Sequence, residues 1–423
     1  MGLTFTFIAN ACGVFTGDDG TRLLMDPWLV DGVFEGSWCH YPPLSTHIED
    51  LQDVDAIYVS HIHPDHFDSR FFDFRRDMPI VVLERKNNFL QKRIEGMGYT
   101  NVQAVADGAT TTIGALEITL FKPFTTHNFH DATVGNVIDS AIVIASDGVH
   151  ALNANDNTPT PEACRMLRER FGRFDLAMLN YNAAGPYPAC FLNLSEAERY
   201  AEHDRILQRN MDYMIDLLRV LEPAACLPFA GAYVLGGSQR HKNPYLGTTT
   251  WDACAEYLRA HGAPCELVTL REGTTYDVGA RNADRAYEPL DPDDCAEYIE
   301  RELAGVVYDY ETDPQPDRAE LLRDLEVAAA QLQTRAARFG LATTFQVSVA
   351  YDGLRAQVLP EFAVDATPGE RSLSCTLDAR LLRRILDRKA QWNSAEIGCH
   401  SDFVRTPNEY EPDLHTMLQF LHR

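Results

Sequence analysis

Short apolar runs separated by turn signals occupy the first 160 residues of the chain. They are rich in β-branched and aromatic residues and predict strands near 3–8, 22–26, 56–60, 79–83, 102–105, 116–121, 140–145 and 149–153. Asp18-Asp19-Gly20 lies just before the second run and is typical of a hairpin turn. This part of the chain is therefore predicted to be rich in β-sheet.

Helical spacing takes over after residue 160. Thr160 is a candidate N-cap for a helix reaching about Phe171, and a strand near 175–180 follows. Between Ser195 and Leu221, apolar residues recur at spacings of three and four, which predicts a long helix with one buried stripe. A short strand from Ala225 to Phe229 then leads into a glycine-rich loop.

A shift in composition indicates the domain organisation. Residues 286–316 are acidic and contain several prolines, so they are predicted to link a first domain, 1–285, to a C-terminal α/β part, 317–423. Within that part, helices are expected at 317–339, at 377–388 and from Asp413, with strands near 343–351 and 354–358. The fold class predicted for the whole chain is α/β.

Composition excludes several classes of protein. The 423 residues are 45% hydrophobic and 23% charged, as in an ordinary globular protein. Acidic residues outnumber basic ones by 62 to 37, and the resulting charge of −25 disfavours nucleic acid and anionic membranes as partners. No run approaches the roughly 18 apolar residues of a membrane span, and the start of the chain lacks the basic segment of a secretion signal. A cytoplasmic location is therefore expected.

The ten cysteines are scattered from Cys12 to Cys399 and are interpreted as free thiols. The sequence has no Cys-x-x-Cys pair, and it lacks the Cys-x-His and Cys-x-x-His elements of a Rieske cluster. The chain itself is therefore not expected to hold an iron–sulfur cluster.

The stretch from Ser60 to Asp68 carries the strongest chemical signal. The predicted strand 56–60 runs directly into His61, His63, Asp65 and His66, whose imidazoles and carboxylate are ligands that zinc, iron and manganese accept. His61 and His63 are expected to project the same way and hold one ion, because alternate residues of an extended chain share a face. Asp65 and His66 follow the turn and are expected to face a second ion.

This His-x-His-x-Asp-His pattern resembles the signature of the metallo-β-lactamase-fold superfamily. Asp26-Pro27-Trp28-Leu29 is similar to the branches of that family that process lipids and sugar phosphates. The resemblance covers roughly residues 1–285. It implies an αββα sandwich with a dinuclear metal site at one edge, here with an additional C-terminal α/β part.

The same resemblance implies further metal ligands. A third histidine is expected at His127, in preference to His130, and a bridging carboxylate at Asp156, which follows the strand 149–153. A simple turn or helix-capping role for Asp156 is the alternative. The hydrolases of the family end a later strand with Pro-x-His-x-Gly, but this sequence has Ala230 at that position. The open position is expected to hold water, substrate, oxygen or another side chain such as His241.

Three less specific features resemble the non-Rieske part of CMP-N-acetylneuraminate hydroxylase. They are Asn155-Asp156, Pro228-Phe229-Ala230-Gly231 and Trp392-Asn393-Ser394-Ala395-Glu396-Ile397-Gly398. A further resemblance is to the diiron monooxygenase of platensimycin and platencin biosynthesis, which hydroxylates a diterpenoid tethered to coenzyme A. Both imply a non-haem diiron oxygenase that uses two Fe ions, dioxygen and electrons from an external reductase. In this chain that would mean a role in antibiotic biosynthesis.

Candidate substrate contacts come from two stretches. The aromatic residues of the 28–41 loop, Trp28 and Trp38 above all, could wall an apolar pocket or simply cap the sheet. Arg240 and Lys242 could bind the phosphates of a CoA or nucleotide handle on a small-molecule substrate, or remain solvated.

Two other functions stay open at the level of sequence. In a metal-dependent hydrolase, two Zn ions would activate water to attack an ester, thioester or phosphodiester. In a binding module with a decayed site, Ala230 would mark the loss of catalysis. Metal identity and oxygen dependence would separate the first from an oxygenase. A homo-oligomer is a further expectation.

Overall fold

The computed structural model describes residues 2–125, 139–359, 362–365 and 367–423. Its strands are β1 (Thr4–Ala9), β2 (Cys12–Thr16), β3 (Arg22–Met25), β4 (Trp38–Cys39), β5 (Ala56–Tyr58), β6 (Ile80–Leu83), β7 (Val102–Val105), β8 (Thr110–Ile113), β9 (Leu116–Phe121), β10 (Ala141–Ser146), β11 (Val149–Asn153), β12 (Leu176–Leu179), β13 (Ala225–Pro228), β14 (Val234–Leu235), β15 (Glu266–Leu267), β16 (Thr275–Asp277), β17 (Asn282–Ala283), β18 (Gln346–Tyr351), β19 (Leu354–Leu359), β20 (Ala363–Val364), β21 (Ser372–Thr376) and β22 (Asp402–Thr406).

Helices alternate with these strands from the middle of the chain onward. They are α1 (Phe89–Gly96), α2 (Pro161–Phe171), α3 (Glu196–Leu221), α4 (Trp251–Ala260), α5 (Pro292–Tyr298), α6 (Arg318–Arg338), α7 (Ala379–Leu386), α8 (Trp392–Ile397) and α9 (Pro412–Leu418). Over the described ranges, none of these helices has the length and apolar character needed to cross a bilayer.

Two mixed sheets form the main body of the molecule. The first has the order β17-β16-β1-β2-β3-β5-β6-β7, and the second has the order β15-β13-β12-β11-β10-β9-β8. Their facing sides bury one apolar cluster that includes Phe5, Phe15, Tyr58, Ile118 and Ile142. Each sheet hides its inner face from water in this way, which is the main driving force for the arrangement.

Helices cover the outer faces of both sheets. Leu90 and Ile94 of α1 pack against the first sheet, whereas α2, α3 and α4 pack against the second. The predicted stripe on α3 is buried from Met211 to Leu221, and a Ser195–Glu198 capping box starts the helix. The αββα sandwich expected from the sequence is confirmed.

The C-terminal residues form a separate five-stranded sheet of order β20-β19-β18-β21-β22. Its apolar cluster is continuous with the loop after β3, because Trp28 and Trp38 belong to the same buried group as Leu325 and Leu382. Residues 286–316, predicted to be a linker, contain α5, and Tyr308 is buried there. The domain boundaries at 285 and 317 stay a prediction.

The topology gathers several strand ends at one edge of the sandwich. β3, β5 and β6 run parallel in the first sheet, and β11, β12 and β13 run parallel in the second. Parallel strands end on the same side, so the segments that follow β3, β5, β11 and β12 meet there. The candidate metal ligands lie in these segments.

Candidate metal centre

The first group of metal-binding atoms comes from the segments that follow β5 and β11. His61 Nε2 lies 3.0 Å from His63 Nδ1 and 3.8 Å from Asp156 Oδ2. Ligand atoms of these three residues lie within 4.8 Å of one another. We call His61, His63 and Asp156 cluster 1.

The second group shares Asp156 with the first. His66 Nε2 lies 3.4 Å from Asp65 Oδ2 and 3.4 Å from Asp156 Oδ2. We call Asp65, His66 and Asp156 cluster 2. The structure thus brings together five residues predicted from the sequence, and the Asp156 carboxylate faces both clusters.

The distances between donor atoms fit bound cations. Two donors that each lie about 2.1 Å from one ion are about 3.0–3.4 Å apart at octahedral or tetrahedral angles. Three of the four separations given above lie in this range. The donors are imidazole nitrogens and carboxylate oxygens, a set that suits zinc and iron alike.

Asp26 holds the histidines in the orientation that metal binding requires. Its Oδ1 accepts a hydrogen bond from the Ser60 backbone N–H at 2.7 Å, and its Oδ2 accepts one from His66 Nδ1 at 3.0 Å. The Ser60 hydroxyl lies 3.0 Å from His61 Nδ1. These contacts leave Nε2 of both rings for a metal, which is the usual outer-shell arrangement.

Amide side chains fix the other ligands. Asn180 Nδ2 donates to Asp156 Oδ1 at 3.2 Å, which leaves Oδ2 for the clusters. Asn10 Nδ2 donates to Asp65 Oδ2 at 3.4 Å. The amide of Asn393, in α8, lies 3.3 Å from His63 Nε2. The C-terminal part therefore contributes directly to the metal centre.

Sequence reasoning missed the roles of Asp26, Asn393 and Asp139. Asp139 is buried, and its Oδ1 lies 3.4 Å from His61 Nε2, close enough to add a carboxylate to cluster 1. The sequence signal for Asp139 is its place next to a predicted strand at 140–145, and that for Asp26 is its place at the end of β3. His127 and His130, the two candidates for the third histidine, lie outside the described residues.

The electrostatics of the site favour a bound cation. Burial holds the pKa of His61 well below its ordinary value and also lowers the pKa of His63, so both stay neutral as ligands. Burial opposes protonation of His66 as well, yet the carboxylates of Asp65, Asp156 and Asp26 raise its pKa well above the ordinary value. The potential around His66 is therefore strongly negative.

Position 230 lacks a metal ligand, as the sequence predicts, and His241 does not replace it. Ala230 is buried with its backbone in the left-handed region (φ 64°), and its methyl group has no donor atom. His241 is exposed on the 3₁₀ helix Gly237–Tyr245, where its Nδ1 bonds the Ser238 carbonyl. Among the described residues, His241 is not part of the group of metal-binding atoms that the structure assembles. Of the occupants considered for the open position, a His241 side chain is therefore the one that the structure disfavours.

The predicted substrate contacts are also corrected. Trp28 and Trp38 are buried in the apolar cluster that joins the two parts of the chain, so they do not wall an open pocket. Lys242 is buried as well, and its Nζ donates to the Cys399 carbonyl at 2.8 Å and pairs with Asp402 at 2.7 Å. Arg240 pairs with Glu300 at 2.9 Å. The structure therefore gives both basic side chains protein partners, in a buried setting for Lys242 and in a partly exposed ion pair for Arg240.

Replacing Asn393 with alanine is expected to weaken metal binding by about 10-fold. Loss of an outer-shell partner costs about 10–100-fold in metal affinity, and the long 3.3 Å contact to His63 places Asn393 at the lower end. Competition with a chelator measures the effect. Asn101→Ala, at an exposed amide far along the chain, is the matched control. Unchanged metal affinity in Asn393→Ala would show that the C-terminal part does not contribute to the metal centre.

Comparison with known proteins agrees with this geometry. Residues 21–229 match the family described as a β-lactamase superfamily domain. A putative Rieske 2Fe-2S iron-sulfur protein of Mycolicibacterium smegmatis is 26% identical over 281 residues, 64% of this chain and 52% of the relative. Cytidine monophosphate-N-acetylneuraminic acid hydroxylase of Mus musculus is 26% identical over 244 residues, 54% of this chain and 39% of the relative. The chain spans about half the length of the curated relatives it matches.

Solved structures with a similar fold include proteins of two chemistries. CmlA, a diiron β-hydroxylase from Streptomyces venezuelae, has a TM-score of 0.42 and 16% identity over 63% of this chain and 53% of its own. The isothiocyanate hydrolase from Delia radicum gut bacteria has a TM-score of 0.47 and 19% identity over 65% of this chain and 98% of its own. The family match over residues 21–229 agrees with the resemblance that the histidine motif predicts.

Proposed function

We propose that this chain, whose residues 21–229 belong to the β-lactamase superfamily, is a non-haem diiron monooxygenase that hydroxylates an unactivated C–H bond of a small molecule. The observation that carries the proposal is the donor set: two clusters share Asp156, and alanine stands at 230 where the hydrolases have a histidine. Cluster 2 therefore keeps an open position for a reactant.

The residues present fit two metal ions. His61 and His63 would hold one ion, Asp65 and His66 the other, and Asp156 both. Two ferrous ions in this site would supply the reduction of dioxygen, in which a C–H bond, O₂, two electrons and two protons give C–OH and water. Zinc has no redox chemistry, so the reaction requires iron or a similar metal.

The protein's own groups prepare the site for this chemistry. His61 and His66 are at most 1% exposed and Asp65 is 5% exposed, so bulk water has little access to these three ligands, whereas the Asp156 side chain is 29% exposed. Asp26 and Ser60 fix the imidazoles before any metal arrives, and Asn180 fixes the shared carboxylate. Such preorganisation lowers the cost of assembling the site.

Electrons are proposed to come from a separate donor. The sequence lacks the cysteine and histidine pattern of a Rieske cluster, although several relatives are described as Rieske iron–sulfur proteins. Because the chain spans about half of those relatives, their substrates are not transferred to it. The proposed CoA-tethered diterpenoid has no support from Arg240 and Lys242, whose side chains have protein partners.

Metal content and oxygen dependence test the proposal. The protein is purified anaerobically, loaded with ferrous iron or zinc, and assayed with a chemical reductant for consumption of dioxygen. We expect about two metal ions per chain and oxygen consumption by the iron form alone. Zinc-dependent, anaerobic cleavage of an ester, thioester or phosphodiester would overturn the monooxygenase in favour of the hydrolase.

A further inference from the structure

A cavity of about 250 Å³ lies beside the metal centre. Its apolar walls include Phe7, Ile8, Leu44 and Trp251, and its polar lining includes Asn10, His40, Arg271 and Glu272. Pockets for drug-sized ligands measure roughly 300–1,000 Å³, so this cavity suits a small organic molecule.

Asn10 connects the cavity to cluster 2. It lines the cavity, and its Nδ2 donates to Asp65 Oδ2 at 3.4 Å. Its backbone carbonyl accepts from the Ala230 N–H at 3.3 Å. A molecule in the cavity is therefore separated from the ligand Asp65 by the side chain of Asn10. It lies on the side of the metal centre where Ala230 stands in place of the family's histidine.

His40 offers an unused polar atom to the cavity. The residue is 4% exposed, and Asp31 accepts hydrogen bonds from both its backbone N–H and its Nδ1. Trp28 packs against the ring, with centroids 3.8 Å apart. His40 Nε2 is buried and has no hydrogen-bond partner among the described residues. A buried polar atom of this kind is costly unless a ligand or water satisfies it.

Arg271 is the cationic side chain in the lining of the cavity. Among the described residues, its Nη1 is buried without a hydrogen-bond partner, and the guanidinium forms no ion pair within 4.0 Å. The neighbouring Glu272 carboxylate is instead occupied by Ser45 and Thr46, each of which donates from its backbone N–H and its hydroxyl. The chain has a net charge of −25, so an arginine side chain without an ion pair is unexpected in it.

A second cavity, of about 280 Å³, flanks the metal loop at Ile62 and Pro64. Arg70 there is bonded through two nitrogens to Asp68. None of the described residues that line it has a buried side-chain nitrogen or oxygen without a hydrogen-bond partner, whereas His40 and Arg271 each have one. The observations therefore favour the cavity at His40 and Arg271.

We propose that the cavity at His40 and Arg271 is the substrate pocket and that it takes a small amphipathic molecule with one oxyanion, a carboxylate or a phosphate. Arg271 and the doubly protonated ring of His40, which donates from Nδ1 to Asp31 and from Nε2 to the ligand, bind the oxyanion. The apolar walls hold the rest of the molecule beside Asn10. The assignment of this ligand as the substrate rests on the proposed function. Binding itself requires only the residues of the cavity.

Binding of three probes with the same chain length tests the pocket. Octanoate, octyl phosphate and octan-1-ol are titrated into metal-loaded protein by calorimetry. We expect one anion to bind at least 10-fold more tightly than the alcohol, because a charge-assisted hydrogen bond in a dry site is worth about that much. The tighter of the two anions identifies the headgroup.

Variants assign the binding to the two side chains. Arg271→Met and His40→Gln should each weaken the favoured anion at least 10-fold while leaving octan-1-ol unchanged. Arg271→Lys keeps the charge and should retain part of the affinity. Arg219→Met, at an exposed ion pair on α3, is the matched control. If Arg271→Met does not fold, the comparison of anion with alcohol in the unaltered protein still decides.

Two outcomes would overturn the pocket: neither anion binds better than octan-1-ol, or Arg271→Met binds the favoured anion as tightly as the unaltered protein. The metal and oxygen assays are independent of both. A zinc protein that binds the anion through Arg271 would refute the monooxygenase and keep the pocket. An iron protein that consumes dioxygen without selective anion binding would refute the pocket and keep the monooxygenase.

Discussion

Replacing Asp156 with alanine is expected to strip both metals and to reduce turnover to background. The reason is geometric: Asp156 Oδ2 lies 3.8 Å from His61 Nε2 and 3.4 Å from His66 Nε2, so one carboxylate serves both clusters. The effect should exceed the roughly 10–100-fold loss that follows removal of an outer-shell partner. Elemental analysis of the purified protein measures the metal, and the oxygen assay measures turnover.

Two companion variants make this result specific. Asp204→Ala removes an 81% exposed carboxylate on α3 and should keep both metals and full activity. Asp65→Ala removes a ligand from cluster 2 alone and should leave the metal of cluster 1 in place. Full metal content in Asp156→Ala would show that the aspartate is only a turn residue, as the alternative interpretation of the sequence has it.

The part of the site that could be predicted from sequence is the local part. His61, His63, Asp65 and His66 follow one strand, so their spacing alone brings them together. Asp156 could be placed because it follows a predicted strand and because the family resemblance implies a bridging acid there. These five residues form the two clusters that the structure contains.

The supporting residues could not be predicted in the same way. Asp26 meets His66 across 40 positions of sequence, and Asn393 meets His63 across 330. Such contacts depend on how β3 pairs with β5 and on where α8 packs, neither of which a local pattern specifies. In a single sequence, one buried aspartate or asparagine looks like any other.

The 28–41 loop shows why the substrate residues were assigned incorrectly. Aromatic residues in a loop suit an open pocket and a buried junction equally well, and only the packing of the C-terminal part decides between them. Its helices and sheet cover Trp28 and Trp38, whereas Tyr41 remains at the cavity beside the metal centre. Lys242 was misassigned for the same reason, since its partners Cys399 and Asp402 lie far along the chain.

This junction also links folding to the metal centre. Trp38 Nε1 donates to the carbonyl of Ile397 at 3.2 Å, and Ile397 ends the helix that carries Asn393. Asn393 in turn lies beside His63. A disturbance at Trp38 is therefore expected to reach cluster 1 through α8, as a secondary effect of weaker packing rather than as loss of a ligand.

Replacing Trp38 with alanine is expected to lower the free energy of unfolding by about 3–5 kcal/mol, the usual cost of truncating a buried aromatic side chain. Its ring is 1% exposed and stacks on Tyr233 with centroids 3.4 Å apart. The truncation leaves a cavity and removes the donor to Ile397. Urea denaturation measures the change, with Phe89→Ala, at a 52% exposed ring, as a control expected to change stability little.

Because the Trp38 side chain has no access to a pocket, Trp38→Phe should recover most of the stability and keep probe binding unchanged. Unaltered stability together with weaker probe binding in Trp38→Ala would instead show that Trp38 lines the substrate pocket.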